Sequence, residues 1–300
     1  MNNLILKLLK KYPYKQWNYE LLAKNPNITL DIIESMPNIK WNWEYVSQNP
    51  NIKMEDIERL NNKIWNIYSI EHNPNLTFEF IKKYSKIWKF WWIGIVYNKC
   101  ITLDIIIEYF DFFIEYPTLG LNPNLTMDFI NKFSIKIWNW DYLSENKGIT
   151  MKDIENNIEK PWNWLYVSKN PNITLEMLIN NKDKNWDFNN ISSNDGFKME
   201  MIKYFPDKKW NWNKISCHKN VKFDDIKNNS HLPWNIDYIS KNPNITMDII
   251  EKYINIKWSY YYISMNPNIT LEFIDKYHEK LNYKCISNNF LEKSYVKNHP

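Results

Sequence analysis

Five histidines (His72, His218, His231, His278 and His299) and three cysteines (Cys100, Cys217 and Cys285) are the side chains with the widest chemical reach in this chain. Metal ligation needs such residues at short, recurring spacings, and these have none. Cys217 and His218 are neighbours, which reads as a free thiol beside a turn histidine and not as a zinc or catalytic site. An odd, scattered cysteine set favours reduced thiols over a disulfide frame. No Walker loop, dinucleotide fingerprint, G-x-S-x-G or H-E-x-x-H occurs. The acids recur singly at one place in a repeating pattern, not as catalytic pairs. The expectation is a chain that is no enzyme, with no catalytic residue, no cofactor and no metal.

What must position the remaining residues is a repeat. N-P-N-I-T occurs at 25–29, 170–174, 242–246 and 266–270, and N-P-N-L-T at 73–77 and 122–126. The residue after N-P-N-[IL] falls at Thr29, Lys53, Thr77, Thr102, Thr126, Thr150, Thr174, Lys198, Lys222, Thr246 and Thr270, in steps of 24 with one step of 25. Tryptophan keeps the same beat at Trp17, Trp41, Trp65, Trp138, Trp162, Trp186, Trp210, Trp234 and Trp258. The unit reads W-N-W-x-Y-[IV]-S-x-N-P-N-I-T-[LM]-[DE]-x-[IF]-[IE]. About eleven copies in residues 17–290 imply a stacked array.

Each unit reads as two short helices. The threonine suits a helix N-cap, and the acid two residues on (Asp31, Glu176, Asp248) suits the first turn. Apolar residues at cap +1, +4 and often +7, such as Leu271, Ile274 and Tyr277, form one stripe, so this helix is expected to span eight to ten residues. W-N-W-x-Y-[IV]-S suits a short α- or 3₁₀-helix that N-P-N terminates. Two short helices and two turns fill 24 residues and leave little room for a strand. The fold class is therefore all-α, a solenoid of about eleven helical hairpins. The serine six after the tryptophan (Ser47, Ser144, Ser168) and the asparagine directly after it (Asn42, Asn139, Asn163) are expected to form ladders that satisfy loop backbone groups. The tryptophans are expected to form a core layer more readily than a platform for bases or sugars.

The segments "NPNITLDII" at 25–33 and "NPNITLEML" at 170–178 resemble the N-P-x-T-P-x-x-L-L core of the leucine-rich-repeat variant family. That resemblance implies a right-handed superhelix of alternating 3₁₀- and α-helices. Tryptophan and tyrosine replace that family's small core residues, and its cysteine cluster is missing. The whole unit, as in "WNWEYVSQNPNI", is similar to the Trp-Asn-rich repeat proteins of mimivirus-type giant viruses. The abundance of Asn, Lys and Ile, with one alanine (Ala23) and one arginine (Arg59), agrees with an AT-rich genome of that kind. The resemblance implies a host-cytoplasm or virion location and carries no activity with it.

Residues 1–16 read as a capping helix and 291–300 as a tail. Residues 85–121 break the rhythm with "IWKFWWIGIVYNKC" and "FDFFIEYPTLG". Trp91, Trp92, Phe112 and Phe113 are large apolar groups off the consensus and form a candidate protein-binding patch. Lysines recur just before the tryptophan at Lys40, Lys63, Lys136, Lys160, Lys184, Lys208 and Lys257, a candidate basic edge opposite an edge of helix-start acids. A net charge of +4 over 300 residues does not by itself call for nucleic acid. With a single arginine, bidentate phosphate or base recognition is poorly provided for. There is no secretory signal and no apolar run of membrane-spanning length. The functional expectation is a scaffold that binds protein. Nucleic-acid binding along the lysine edge, or a structural part in a particle, are the alternatives.

Overall fold

The structure, a computed structural model, describes residues 4–88, 90–133 and 138–289. Among them are twenty-four α-helices, one 3₁₀-helix and no strand. The fold is a solenoid of helical repeats. First helices of consecutive repeats pack side by side, as Tyr19–Ala23 does on Trp43–Ser47. All of these first helices are α-helical except Pro117–Leu121, which is 3₁₀.

The second helix of each repeat starts where the threonine places it. The Thr174 hydroxyl accepts from the Met177 N–H at 3.1 Å, and Thr270 accepts from Phe273 at 3.2 Å. At two of the three places where lysine replaces threonine, an aspartate three residues on works from inside the helix, whereas Lys198 has Met201 there and no side-chain cap. Asp56 accepts from the Lys53 N–H at 2.9 Å, and Asp225 from Lys222 at 2.8 Å. These helices are shorter than eight to ten residues. Leu30–Ser35 has six and Leu271–Tyr277 has seven. In most repeats the tryptophan that follows bonds at their end, although the Trp41 indole after Leu30–Ser35 has no partner among the described residues and no tryptophan follows Leu271–Tyr277. Where the bond forms, the indole N–H donates to the carbonyl of the helix C-cap, Trp162 to Asn157 at 2.8 Å and Trp258 to Tyr253 at 2.9 Å. A bond at that carbonyl satisfies a group the helix leaves free. The first helix then opens at the second tryptophan, with the intervening asparagine as N-cap. Asn139 accepts from the N–H groups of Asp141 and Tyr142.

Two ladders tie consecutive repeats. In the first, the serine hydroxyl donates within its own helix and accepts from the next repeat. Ser144 donates to Trp140 O at 2.6 Å and accepts from the Asn163 N–H at 3.0 Å. In the second, the first asparagine of N-P-N holds its own turn and reaches back one repeat. The Asn170 Oδ1 accepts from the Asn172 N–H at 3.0 Å. Its Nδ2 lies 3.2, 2.9 and 3.0 Å from the carbonyls of Ser144, Asn146 and Ile149. Asn49, Asn122, Asn146, Asn194, Asn242 and Asn266 do the same, all buried. His218 takes this place in one repeat and accepts from the Asn220 N–H through Nδ1 at 3.0 Å. The asparagine after the first tryptophan has a double role that its spacing does not reveal. Asn163 caps its helix and also donates to Asp141 of the preceding repeat at 2.6 Å.

The chain divides into two compact units, one made of Met1–Ser69 with Trp212–Pro300 and one of Ile70–Asn211. Ile70–Asn211 carries both ladders, with serine rungs at Ser144, Ser168 and Ser192. The other unit brings together the two ends of the repeat series. The Asn18 N–H donates to the Ser287 hydroxyl at 3.0 Å, and Asn25 Nδ2 donates to the carbonyls of Ser287 and Asn289 at 2.9 and 3.0 Å. The helix Leu4–Lys11 and Tyr12 run into this joint, where the Tyr12 hydroxyl donates to Asp275 at 2.6 Å. The expected tail, 291–300, lies outside the described residues.

The core of each unit is three apolar columns. One is the residue after N-P-N, such as Ile52, Ile173 and Ile269. Another is the residue before the ladder serine, such as Val46, Val167 and Ile263. The last is cap +4 of the second helix, such as Ile57, Leu178 and Ile274. The first tryptophan closes the layer, with Trp138 and Trp162 5% and 6% exposed. Burying such side chains contributes about 1.5–3 kcal/mol each. The polar ladder inside this core is unforgiving, because an unbonded buried carbonyl costs about 1–3 kcal/mol. Asn170→Leu is therefore expected to destabilise the chain by about 3 kcal/mol in urea unfolding, and Asn172→Ala by only about 1 kcal/mol. Equal costs would remove the asparagine ladder from its central place.

Candidate interaction surfaces

The irregular stretch is where the serine ladder gives out. The rung positions there hold Glu71, Val96 and Gly120. Glu71 substitutes a carboxylate for the hydroxyl and accepts from the Trp91 N–H. Its other oxygen is buried with no partner among the described residues. A Cβ added at Gly94 would lie 3.0 Å from that oxygen, so glycine leaves room for the longer acid. Burial pushes the Glu71 carboxyl above the usual carboxylate range, against the opposing pull of the Trp91 N–H and His72.

The tryptophan beat fails in the same place. Elsewhere the second tryptophan of one repeat meets the first of the next edge to face, as Trp43–Trp65 does at 5.0 Å and Trp140–Trp162 at 4.9 Å. Here Trp92 meets Phe112 instead, at 4.9 Å, with Phe113 at 5.9 Å. The smaller rings leave a cavity of about 240 Å³ lined by Phe78, Ile81, Lys82, Ser85, Trp92, Tyr109, Phe112 and Phe113. The structure thus brings together three of the four sequence candidates. Phe113 is a buried wall, whereas Phe112 is 41% exposed at the rim. Trp91 is 68% exposed, stands at the N-cap of Trp92–Ile95 and does not line the cavity. Phe78, Ile81 and Tyr109 were not singled out from sequence. Phe78 and Ile81 match the repeat pattern and carry no local signal. Lys82 sets a cation at the rim, 5.1 Å from the centre of the Phe78 ring. Exposed Ile87, Ile93 and Ile107 extend the apolar character of this part of the chain.

Three lysines of the series lie over aromatic rings. Lys63 Nζ lies 5.3 Å from the centre of a Trp43 ring, Lys184 5.5 Å from Trp164 and Lys208 5.6 Å from Phe188. Each lysine covers the second aromatic residue of the repeat before it, a cation–π arrangement. Two open grooves follow from this geometry. One is lined by Lys40, Trp41, Trp43 and Lys63 together with Glu34, and the other by Lys184, Trp186, Phe188, Lys208 and Lys209. Lys160 lies 3.9 Å from Glu159, and Lys257 is exposed. Lys136 lies outside the described residues.

The thiols are not poised for nucleophilic work. Burial pushes Cys100 up to about 12 and raises Cys217 and Cys285 as well. Among the described residues no group of three or more His, Cys, Asp or Glu side chains could hold a metal ion. No helix among them is long and apolar enough to cross a membrane.

Glu71 yields a pH signature. Its native carboxyl holds a proton more tightly than the unfolded chain does. Stability from this site is therefore full at acid pH and falls as pH rises through the native pKa. Glu71→Gln keeps an acceptor for Trp91 and removes the titration. Between about pH 4 and 7 the variant is expected to lose less unfolding free energy than the parent chain. Parallel profiles in denaturant titrations would count against a buried, proton-holding Glu71. No protein family, no curated protein and no solved structure matches the chain.

Proposed function

We propose that this chain is a non-enzymatic repeat scaffold that binds a protein partner through the irregular stretch of Ile70–Asn211. The observation that supports this reading is the apolar cavity at Trp92 and Phe112, where the tryptophan beat of the repeat fails. Small-molecule sites usually enclose roughly 300–1,000 Å³, and a cavity of about 240 Å³ suits one bulky side chain. An aromatic or leucine anchor from a partner fits that size, and anchors of this kind carry most interface energy. The exposed ammonium of Lys82 beside the opening favours an acidic residue next to the anchor. The matching ligand is an acidic segment bearing Phe, Leu or Trp. A host cytoplasm or a viral particle as its setting belongs to the same reading.

Nucleic-acid binding is the second reading, supported by the paired lysines and aromatics of the two open grooves. It predicts an affinity for single-stranded DNA that falls steeply with salt.

The two readings separate in one experiment. Random peptides displayed on phage are selected on the wild-type chain and rescreened on Phe112→Ser and on Lys160→Glu/Lys184→Glu/Lys208→Glu. Enrichment of acidic peptides with one bulky apolar residue is expected, with binding at least about tenfold weaker on Phe112→Ser and nearly unchanged on the lysine variant. Peptides indifferent to Phe112, together with salt-sensitive oligonucleotide binding lost in the lysine variant, would replace the protein-binding reading.

A further inference from the structure

The joint between the first and last repeats reproduces the bonds that join consecutive repeats, although its two halves are connected along the chain only through residues 70–211. The Asn18–Ser287 bond at 3.0 Å matches Asn282–Ser264 at 2.8 Å. Asn25 reaches the carbonyls of Ser287 and Asn289 as Asn266 reaches those of Ser240 and Asn242. Trp17 meets Tyr283 edge to face at 5.0 Å and 85°, as Trp65 meets Trp43 at 5.0 Å and 79°. Lys15 lies over the Tyr283 ring at 5.5 Å, as Lys63 lies over Trp43. Ion pairs add to this, Lys11 with Asp275 at 2.7 Å and Lys15 with Glu279 at 2.9 Å.

We propose that this joint also forms between two copies of the chain, the first repeat of each seated on the last repeat of the other. Every copy carries both faces, and the faces are matched group for group. The exchange therefore remakes each contact that it breaks, the condition under which swapping between identical chains is cheap. Which form prevails is set by the effective concentration of the two ends within one chain against the concentration of other chains. The partner is a second copy, and the surface is the face made by Tyr12, Lys15, Trp17 and Asn25 against Asp275, Tyr283 and Ser287.

The ion pairs make the exchange testable. One variant carries K11E and K15E, and the other D275K and E279K. Within either variant alone the joint opposes like charges. In a reciprocal dimer of the two, both joints oppose unlike charges. Mixed in denaturant and refolded together, they are expected to give a one-to-one dimer, at least about tenfold more abundant than dimer from either variant alone. Native mass spectrometry and light scattering read the mass. A mixture that behaves as the sum of its parts overturns the proposal. A second arm does not depend on the variants folding. Wild-type chains, isotope-labelled and unlabelled, are refolded together at concentrations about a hundredfold apart. Mixed-label dimer at the higher concentration supports exchange, and monomer at both concentrations overturns it.

Discussion

A helix of four to six residues leaves most of its carbonyls without partners, and the turn after each first helix starts and ends on buried residues, as at Asn170 and Ile173. Backbone groups in such a place must be bonded or the chain will not fold there. The buried asparagine of N-P-N meets this requirement with one side chain. Its oxygen holds the turn by accepting from the N–H two residues on, and its amide group donates to carbonyls of the preceding repeat. Serine or aspartate could hold the turn, but neither carries two amide N–H donors. The proline between the asparagines fixes the backbone and has no N–H to satisfy. Because the donors act across the repeat boundary, a single unit has no complete hydrogen-bond set. Folding is then a property of neighbours, which is how stacked repeats gain stability.

Much of this was legible in the sequence, and the parts that were not share a physical reason. Threonine before L-[DE]-x-I announces a helix start, and Thr174 and Thr270 cap as their position implies. The N-P-N triplet announces a turn. That the first asparagine of the turn is buried, and that it serves the previous repeat, is invisible locally, because an exposed asparagine and a buried one hold such a turn alike. The second helices were expected to be longer because the apolar stripe often runs on to cap +7, as at Tyr277. In most repeats a tryptophan indole bonds the carbonyl at the helix end, as Trp162 does at Asn157, and propensity has no signal for such a bond. The meeting of Trp17 with Tyr283 pairs the first and last repeats, which no single repeat spells out.

The candidate cavity shows the same division. Trp92, Phe112 and Phe113 stood out because they depart from the consensus. Phe78 and Ile81 line the same space, yet they conform to the pattern and carry no mark. Trp91 departs from the consensus as well, yet it stands exposed at a helix N-cap and is not among the residues that line the cavity.

The two ladders differ in what their loss costs, and this explains where the surface could diverge. A serine rung joins one hydroxyl to one backbone N–H of the next repeat, and a carboxylate at Glu71 can replace it. An asparagine rung satisfies two or three buried carbonyls at once. Through the irregular stretch the serine positions become glutamate, valine and glycine. The asparagine positions persist, with Asn98 bonded to the carbonyls of Glu71 and Asn73, Asn122 to those of Val96 and Ile101, and Asn146 to those of Gly120 and Asn122. The costly ladder is kept and the cheaper one released. With the inner ladder intact, the tryptophan layer could lose a ring and open a cavity without unstacking the repeats on either side.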